Sequence, residues 1–290
     1  MSLGRARVAI LGAGRAGCSL YAALKARDYR LSLLWTRSEA SARAAQAEGF
    51  PSTWGPLPSS LKEAELVFLA VSDGAVASLA GALASGQLVR PGAVVAHLAG
   101  SLDLAPLRPL KEASLGSLHP LVSMASRQAK LEGAACAIEA GDVRAAARLE
   151  AVAKDLGLFV VRPKGDRARY HAAACIVGNY PQVLLEAALR LLVGTGLTRD
   201  EARRALAPLL RGATENAIAR DGVQGLSGPI VRGDTAVVER HLEALRADPQ
   251  LAPVLDLYRA AGALAAQMTG EPARTIAQLL EGPEGAAAPT

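Results

Sequence analysis

Val8-Ala9-Ile10-Leu11-Gly12-Ala13-Gly14-Arg15-Ala16-Gly17 is the stretch whose reading decides the fold. Its first four residues are apolar and two are β-branched, as in a buried strand, and a helical pattern begins at Ala16. Between strand and helix the glycines take the first, third and sixth places of G-x-G-x-x-G. In that context the three glycines do different things. Gly12 allows a tight turn, Gly14 lets a pyrophosphate approach bare backbone, and Gly17 lets the helix pack on the strand. The opening of the helix, at Arg15 and Ala16, adds free N–H groups and a positive dipole end. The stretch therefore predicts a dinucleotide site at Gly12, Gly14, Arg15, Ala16 and Gly17; the competing reading is a glycine turn without a ligand.

Outward from this turn, short β-rich runs at 7–11, 31–35, 66–71 and 94–98 alternate with helical stretches at 16–26, 39–48, 75–84 and 143–156. Further runs follow at 116–118, 134–138 and 159–161. The alternation predicts a doubly wound, mainly parallel sheet with helices on both faces. After Pro163 the strand signals stop: 166–193 is one long apolar-rich stretch, followed by helical patterns at 199–219, 235–247 and 252–268. The expected class is α/β, with an N-terminal Rossmann domain over 1–164 and an all-helical substrate and dimerisation domain over 165–275. A disordered tail is expected over 276–290, its last residues, 282–290, being mostly Gly, Pro and Ala without a pattern.

The second strand ends in Thr36-Arg37-Ser38, where an NAD site usually carries an acid for the ribose 2′-hydroxyl. Two hydroxyls and a guanidinium suit a 2′-phosphate instead, so NADP is expected in preference to NAD. Ser38 also fits as a plain helix N-cap and Arg37 as a plain surface charge. The third strand runs into Val71-Ser72-Asp73 at the carboxyl edge, where open α/β sheets place ligands. All three are expected beside the cofactor, with helix capping as the plainer role of Ser72 or Asp73. Two further strand ends, Ala99-Gly100-Ser101 and His119-Pro120, fall at the same edge. Ser101 is thus a candidate substrate contact, and His119 a candidate for the reaction.

Hydrophobic residues at 51% and charged residues at 20% place the 290-residue chain in the globular class. No apolar run is read as reaching the roughly 20 residues that span a bilayer. The net charge of +5 comes from arginines interspersed with acids, as in Arg199-Asp200-Glu201 with Arg203 and Arg204, and no basic block is interleaved with aromatics. Neither nucleic acid nor membrane is expected as a partner. The three cysteines, Cys18, Cys136 and Cys175, have no metal or redox spacing, so no metal is expected and a reducing, cytoplasmic setting is.

The glycine turn, Leu118-His119-Pro120-Leu121, Arg169-Tyr170-His171-Ala172-Ala173-Ala174, Asn179-Tyr180 and Leu226-Ser227-Gly228-Pro229-Ile230-Val231-Arg232-Gly233-Asp234 together resemble Rossmann-like proteins of the domain-of-unknown-function 2520 family. The likeness runs over nearly the whole chain to about residue 265. That family is similar in plan to pyrroline-5-carboxylate reductase, 3-hydroxyacid dehydrogenases and 6-phosphogluconate dehydrogenase. The resemblance implies an NADP-linked oxidoreductase whose helical domain dimerises and closes over the nicotinamide, and it implies no substrate. Ser227 stands where the family's segment usually has threonine, which keeps the hydroxyl. In the related hydroxyacid dehydrogenases the first long helix carries an acid–base lysine with an asparagine one turn later. Here no lysine follows Lys164 on that helix, so that mechanism does not carry over.

What the helix does carry is His171, Cys175 and Asn179 at i, i+4 and i+8, one stripe along a face. His171 suits proton transfer near neutral pH, and Asn179 suits a substrate carbonyl or carboxylate; a satisfied core histidine is the plainer reading. The expected catalytic residues are thus His171, Asn179 and His119, and the expected substrate contacts Ser101, Ser227 and Arg232. Arg232 fits an anionic substrate or a local ion pair, and Asp234 an N-cap. The expectation is a homodimeric, NADP-dependent oxidoreductase of a small carbonyl or imine compound. An NADP–deazaflavin oxidoreductase and a non-enzymatic NADP-binding sensor or assembly module are the rivals.

Overall fold

The structure, a computed structural model, describes residues 6–281. Eight strands form one sheet: β1 (Arg7–Leu11), β2 (Arg30–Thr36), β3 (Ser52–Trp54), β4 (Leu66–Leu69), β5 (Val94–His97), β6 (Ser114–Pro120), β7 (Ala135–Ala140) and β8 (Phe159–Val161). Their order is β3-β2-β1-β4-β5-β6-β7-β8, and only the β6/β7 pair is antiparallel. Four helices connect them: α1 (Arg15–Lys25), α2 (Glu39–Ala47), α3 (Asp73–Ser85) and α4 (Val143–Asp155).

The continuous apolar runs of β1, β4 and β5 follow from burial on both faces, as parallel sheets require. Successive side chains of β1 divide between the two layers. Val8 and Ile10 pack with Leu20 and Leu24 of α1 and Leu149 and Val152 of α4, whereas Ala9 and Leu11 pack with Val76, Ala80 and Leu83 of α3. Each fully buried leucine contributes about 1.5–3 kcal/mol. The predicted class, a doubly wound and mainly parallel sheet followed by helices, is the one the chain adopts.

The helical region comprises α5 (Arg167–Gly194), α6 (Arg199–Ala219), α7 (Pro229–Arg232), α8 (Thr235–Arg246), α9 (Ala252–Thr269) and α10 (Arg274–Glu281). By contacts the chain divides into two compact units inside α5, between Tyr180 and Pro181. This lies beyond the expected boundary at 164/165, because the start of α5 is tied to the sheet through Tyr170 and Arg167. Pro181 has no N–H and interrupts the helix ladder at the division.

In the second unit Val238, Leu242, Ile276 and Leu280 form a small core. A capping box, Thr198 with Glu201, starts α6. The helix α10 corrects the expected tail from 276: Ile276 and Leu280 are its buried face, and 282–290 lie outside the described residues. The helix α5 holds no uninterrupted apolar run of the length that spans a bilayer, since Arg169, Glu186 and Arg190 break it. With 28 residues it is, by length and composition, the one helix among the described residues long and apolar enough to cross a membrane. Leu189 is its only buried residue, and Ile176, Val177, Val183 and Leu184 are exposed.

Candidate functional site

The strand order reverses between β1 and β4, and the loops after these strands frame a crevice at the carboxyl edge. Gly12 sits at φ +124°, and a Cβ there would lie 2.0 Å from the Ala70 carbonyl oxygen. A Cβ on Gly17 would lie 1.8 Å from the Gly12 carbonyl oxygen, so α1 packs on the turn only without a side chain. A Cβ on Gly14 would meet nothing within 4 Å. Gly14 also occupies the N-cap of α1 without a side-chain bond, leaving the first-turn N–H groups available to an anion. Arg127, which sequence reasoning missed, donates from Nε to the Ala13 carbonyl (3.3 Å) and pairs with Glu48, bracing the turn.

A cavity of about 530 Å³ brings together Gly12, Gly14, Thr36, Arg37, Ser38, Val71 and Ser72. Of the other expected cofactor residues, Arg15 and Ala16 open α1 at the side of the turn, and Gly17 is packed beneath it. Ser38 caps α2 by accepting from the Ser41 N–H (3.2 Å). Glu39, the first carboxylate after β2, is held by Arg43 at 2.7 Å. Arg37 is exposed and has no hydrogen-bond or ion-pair partner among the described residues. Ser72 occupies the N-cap of α3 but makes no capping bond, which corrects the capping alternative. Asp73 does not line the cavity; its carboxylate accepts from the Ser101 hydroxyl, so both side chains are engaged with each other.

A second cavity of about 280 Å³ lies at the end of β6 and the first half of α5. His119, Ser123, His171, Cys175 and Asn179 line it, so the helix stripe and the strand-end histidine do converge. The His119 and His171 ring centroids are 5.8 Å apart. Both rings lie over Gly100, where a Cβ would come within 2.6 Å of His171 and 2.7 Å of His119. Neither histidine is sealed in the core. Cys175 Sγ is 3.9 Å from each ring nitrogen of His171, so it is in line with neither lone pair.

His119 Nδ1 lies 2.8 Å from the Tyr170 hydroxyl. The guanidinium of Arg167 stands 5.1 Å from the centre of the Tyr170 ring. Its Nε donates to the Leu102 carbonyl (3.3 Å), and Glu139 lies 4.0 Å away. Burial, then the neighbouring His171 and Arg167, push His119 down to about 4, so it is neutral at physiological pH. Burial raises Tyr170 above its ordinary value, which removes it as a base. Buried His97, also lowered by burial, meets the Asp103 carbonyl oxygen at 3.0 Å. Arg167 is not singled out by sequence, since nothing marks one arginine among many.

The remaining expected contacts belong to the second unit. Ser227 is exposed ahead of α7. Arg232 pairs locally with Asp234 at 3.2 Å, and Asp234 makes no capping bond, which corrects its expected role.

Residues 1–121 match the Rossmann-like domain family, and residues 134–266 match the domain of unknown function DUF2520. The chain is a Rossmann-like protein with a DUF2520 domain. It is similar to a candidate NADP oxidoreductase from Bacteroides fragilis, with 25% identity over 90% of this chain and 98% of that one and a TM-score of 0.73. An imine reductase from Pseudomonas sp. has the same fold, at TM-score 0.60 and 18% identity over 95% of this chain and 100% of that one. So does a pyrroline-5-carboxylate reductase from Coxiella burnetii, at TM-score 0.56 and 18% identity over 93% of this chain and 99% of that one. No curated protein matches the chain in sequence.

Proposed function

We propose that this chain is an NADP-dependent oxidoreductase that reduces a small carbonyl or imine compound. The observation that carries the reading is one sheet edge holding both a glycine-built crevice and a cavity with two imidazoles. The crevice fits a dinucleotide by its own geometry: open space at Gly14, uncapped N–H groups on α1, and an unengaged Arg37 beyond β2. Gly14 and the first turn of α1 would hold the pyrophosphate, and Thr36, Arg37 and Ser38 the 2′-phosphate. The nicotinamide, when bound, supplies the hydride.

This chain's residues then position the substrate and manage the proton. His171 gives a proton to the heteroatom of the reduced group, since it lines the cavity and its nitrogens have no in-line partner there. Asn179, exposed on the same wall, orients a carbonyl or carboxylate with its amide. Ser101 supports this edge through Asp73. The similarity to the Bacteroides protein, named for NADP oxidoreduction, supports the class of reaction.

The protein acts as a homodimer in this reading. An exposed helix with apolar residues around most of its circumference is marginal in water, and α5 buries only Leu189 within its own chain. A second copy would cover Val183 and Leu184. Light scattering at micromolar concentration should give twice the monomer mass; a monomer refutes this part.

The test of function is NADPH consumption against a panel of small aldehydes, keto acids and cyclic imines. Turnover of at least one class is expected. Tight NADPH binding with no turnover across the panel would replace the enzyme reading with that of an NADP-binding sensor.

A further inference from the structure

The contact between His119 and Tyr170 determines more than position. A phenol has one proton, and the half-buried Tyr170 hydroxyl meets one acceptor among the described residues, His119 Nδ1 at 2.8 Å. An imidazole nitrogen is a far better base than a phenol oxygen, and a phenol O–H is a better acid than an imidazole N–H. The hydroxyl therefore donates to Nδ1, and the ring proton stays on Nε2. Arg167 reinforces this order. Its guanidinium faces the Tyr170 ring, and its side chain is only 11% exposed. A fixed positive charge there polarises the O–H toward the ring and opposes a second positive charge on His119.

The free edge of the imidazole has a defined place as well. A Cβ on Gly100 would lie 2.8 Å from His119 Nε2 and 2.6 Å from His171, so bare backbone lies beneath both rings and no side chain separates them. Nε2 has no hydrogen-bond partner among the described residues, and His119 lines the cavity.

We propose that His119 is held by Tyr170 and Arg167 as a fixed Nε2–H donor, so that the cavity selects a substrate offering a lone pair, a neutral carbonyl oxygen, over a protonated imine. With Nδ1 occupied and Nε2 already protonated, His119 accepts no proton from the substrate. It polarises the carbonyl by donating, and His171 beside it moves the proton. A protonated imine brings an N–H to face the Nε2–H, donor against donor, and must turn to Asn179 or Ser123 for an acceptor. Tyr170 and Arg167 are positioning residues. The tautomer follows from the geometry alone; the substrate preference rests on the reductase reading above and narrows it.

The tautomer is read in the free protein at neutral pH by ¹⁵N-resolved long-range imidazole NMR. His119 should show a protonated Nε2 and an unprotonated Nδ1. Tyr170→Phe, with its melting temperature recorded, should give a mixture of both tautomers. A protonated Nδ1 in the wild-type protein overturns the proposal whether or not the variant folds, and so does an unchanged tautomer in a folded Tyr170→Phe. With matched substrates, carbonyl compounds should turn over faster than imines, and Tyr170→Phe should lower kcat/KM for the carbonyl about tenfold. Faster turnover of the imine overturns the selectivity. A panel with no turnover at all refutes the reductase reading while leaving the tautomer result standing.

Discussion

The glycine crevice and the histidine cavity share one sheet edge but are built from different material. The crevice is backbone: two of its glycines have no room for a Cβ and the third faces open space. The cavity is side chain: His119 arrives from the end of β6, and His171, Cys175 and Asn179 from α5, far along the chain. Backbone geometry tolerates few residue types, so it constrains local sequence tightly. Side-chain convergence constrains it loosely, since many residues can reach one place from many elements. The crevice should therefore be broken by added atoms, and the cavity by removed ones.

Removing the imidazole of His171 should have the largest effect. Once a substrate is known, His171→Ala should lower kcat by roughly 10²–10⁴-fold while NADPH affinity stays nearly unchanged. Full turnover in steady-state assays would remove His171 from the reaction. Adding one methyl to the crevice comes next. In Gly17→Ala the new Cβ meets the Gly12 carbonyl, and stability should fall by roughly 3 kcal/mol or more, with NADPH binding lost. A variant that melts like the wild type would show that the turn yields easily.

Acid should act on the cavity rather than the crevice. His119 titrates near 4 in the folded chain, below the ordinary 6.5, so the unfolded chain binds the extra proton first. Stability from this source is intact above pH 6.5 and is lost as pH falls toward 4, by about 3 kcal/mol for a shift of this size. His97, lowered in the same direction, adds to the loss. Denaturant titrations of wild type and His119→Gln across this window should show a flatter slope in the variant. Equal slopes would mean that His119 is not the group being strained.

The same contrast explains what was legible in the sequence. The glycine turn, the alternation of strands and helices and the long helix could be read because each depends on periodicity or on a backbone position only glycine fills. The stripe His171–Cys175–Asn179 could also be read, because it repeats along a single helix. The edge strand β3, Ser52–Trp54, could not: unlike the equally short but wholly apolar β8, Phe159–Val161, it carries two hydroxyl residues in three and shows no apolar run. Arg127 and Arg167 were invisible for another reason. Their partners, the Ala13 and Leu102 carbonyls, are backbone atoms that any residue supplies, 114 and 65 positions away. The helix α10 was hidden by the Gly- and Pro-containing segments on either side, although Ile276 and Leu280 stand one helical turn apart.

The central claim, that the crevice is an NADP site read by Arg37, is tested most directly by calorimetric titration with NADPH and NADH at equal ionic strength. Wild type should bind NADPH more tightly. Arg37→Ala should cost NADPH about 1.5–3 kcal/mol, the worth of a charge-assisted phosphate contact, and leave NADH unchanged. Tighter binding of NADH by the wild type, or an Arg37→Ala variant that loses nothing for NADPH, would contradict it.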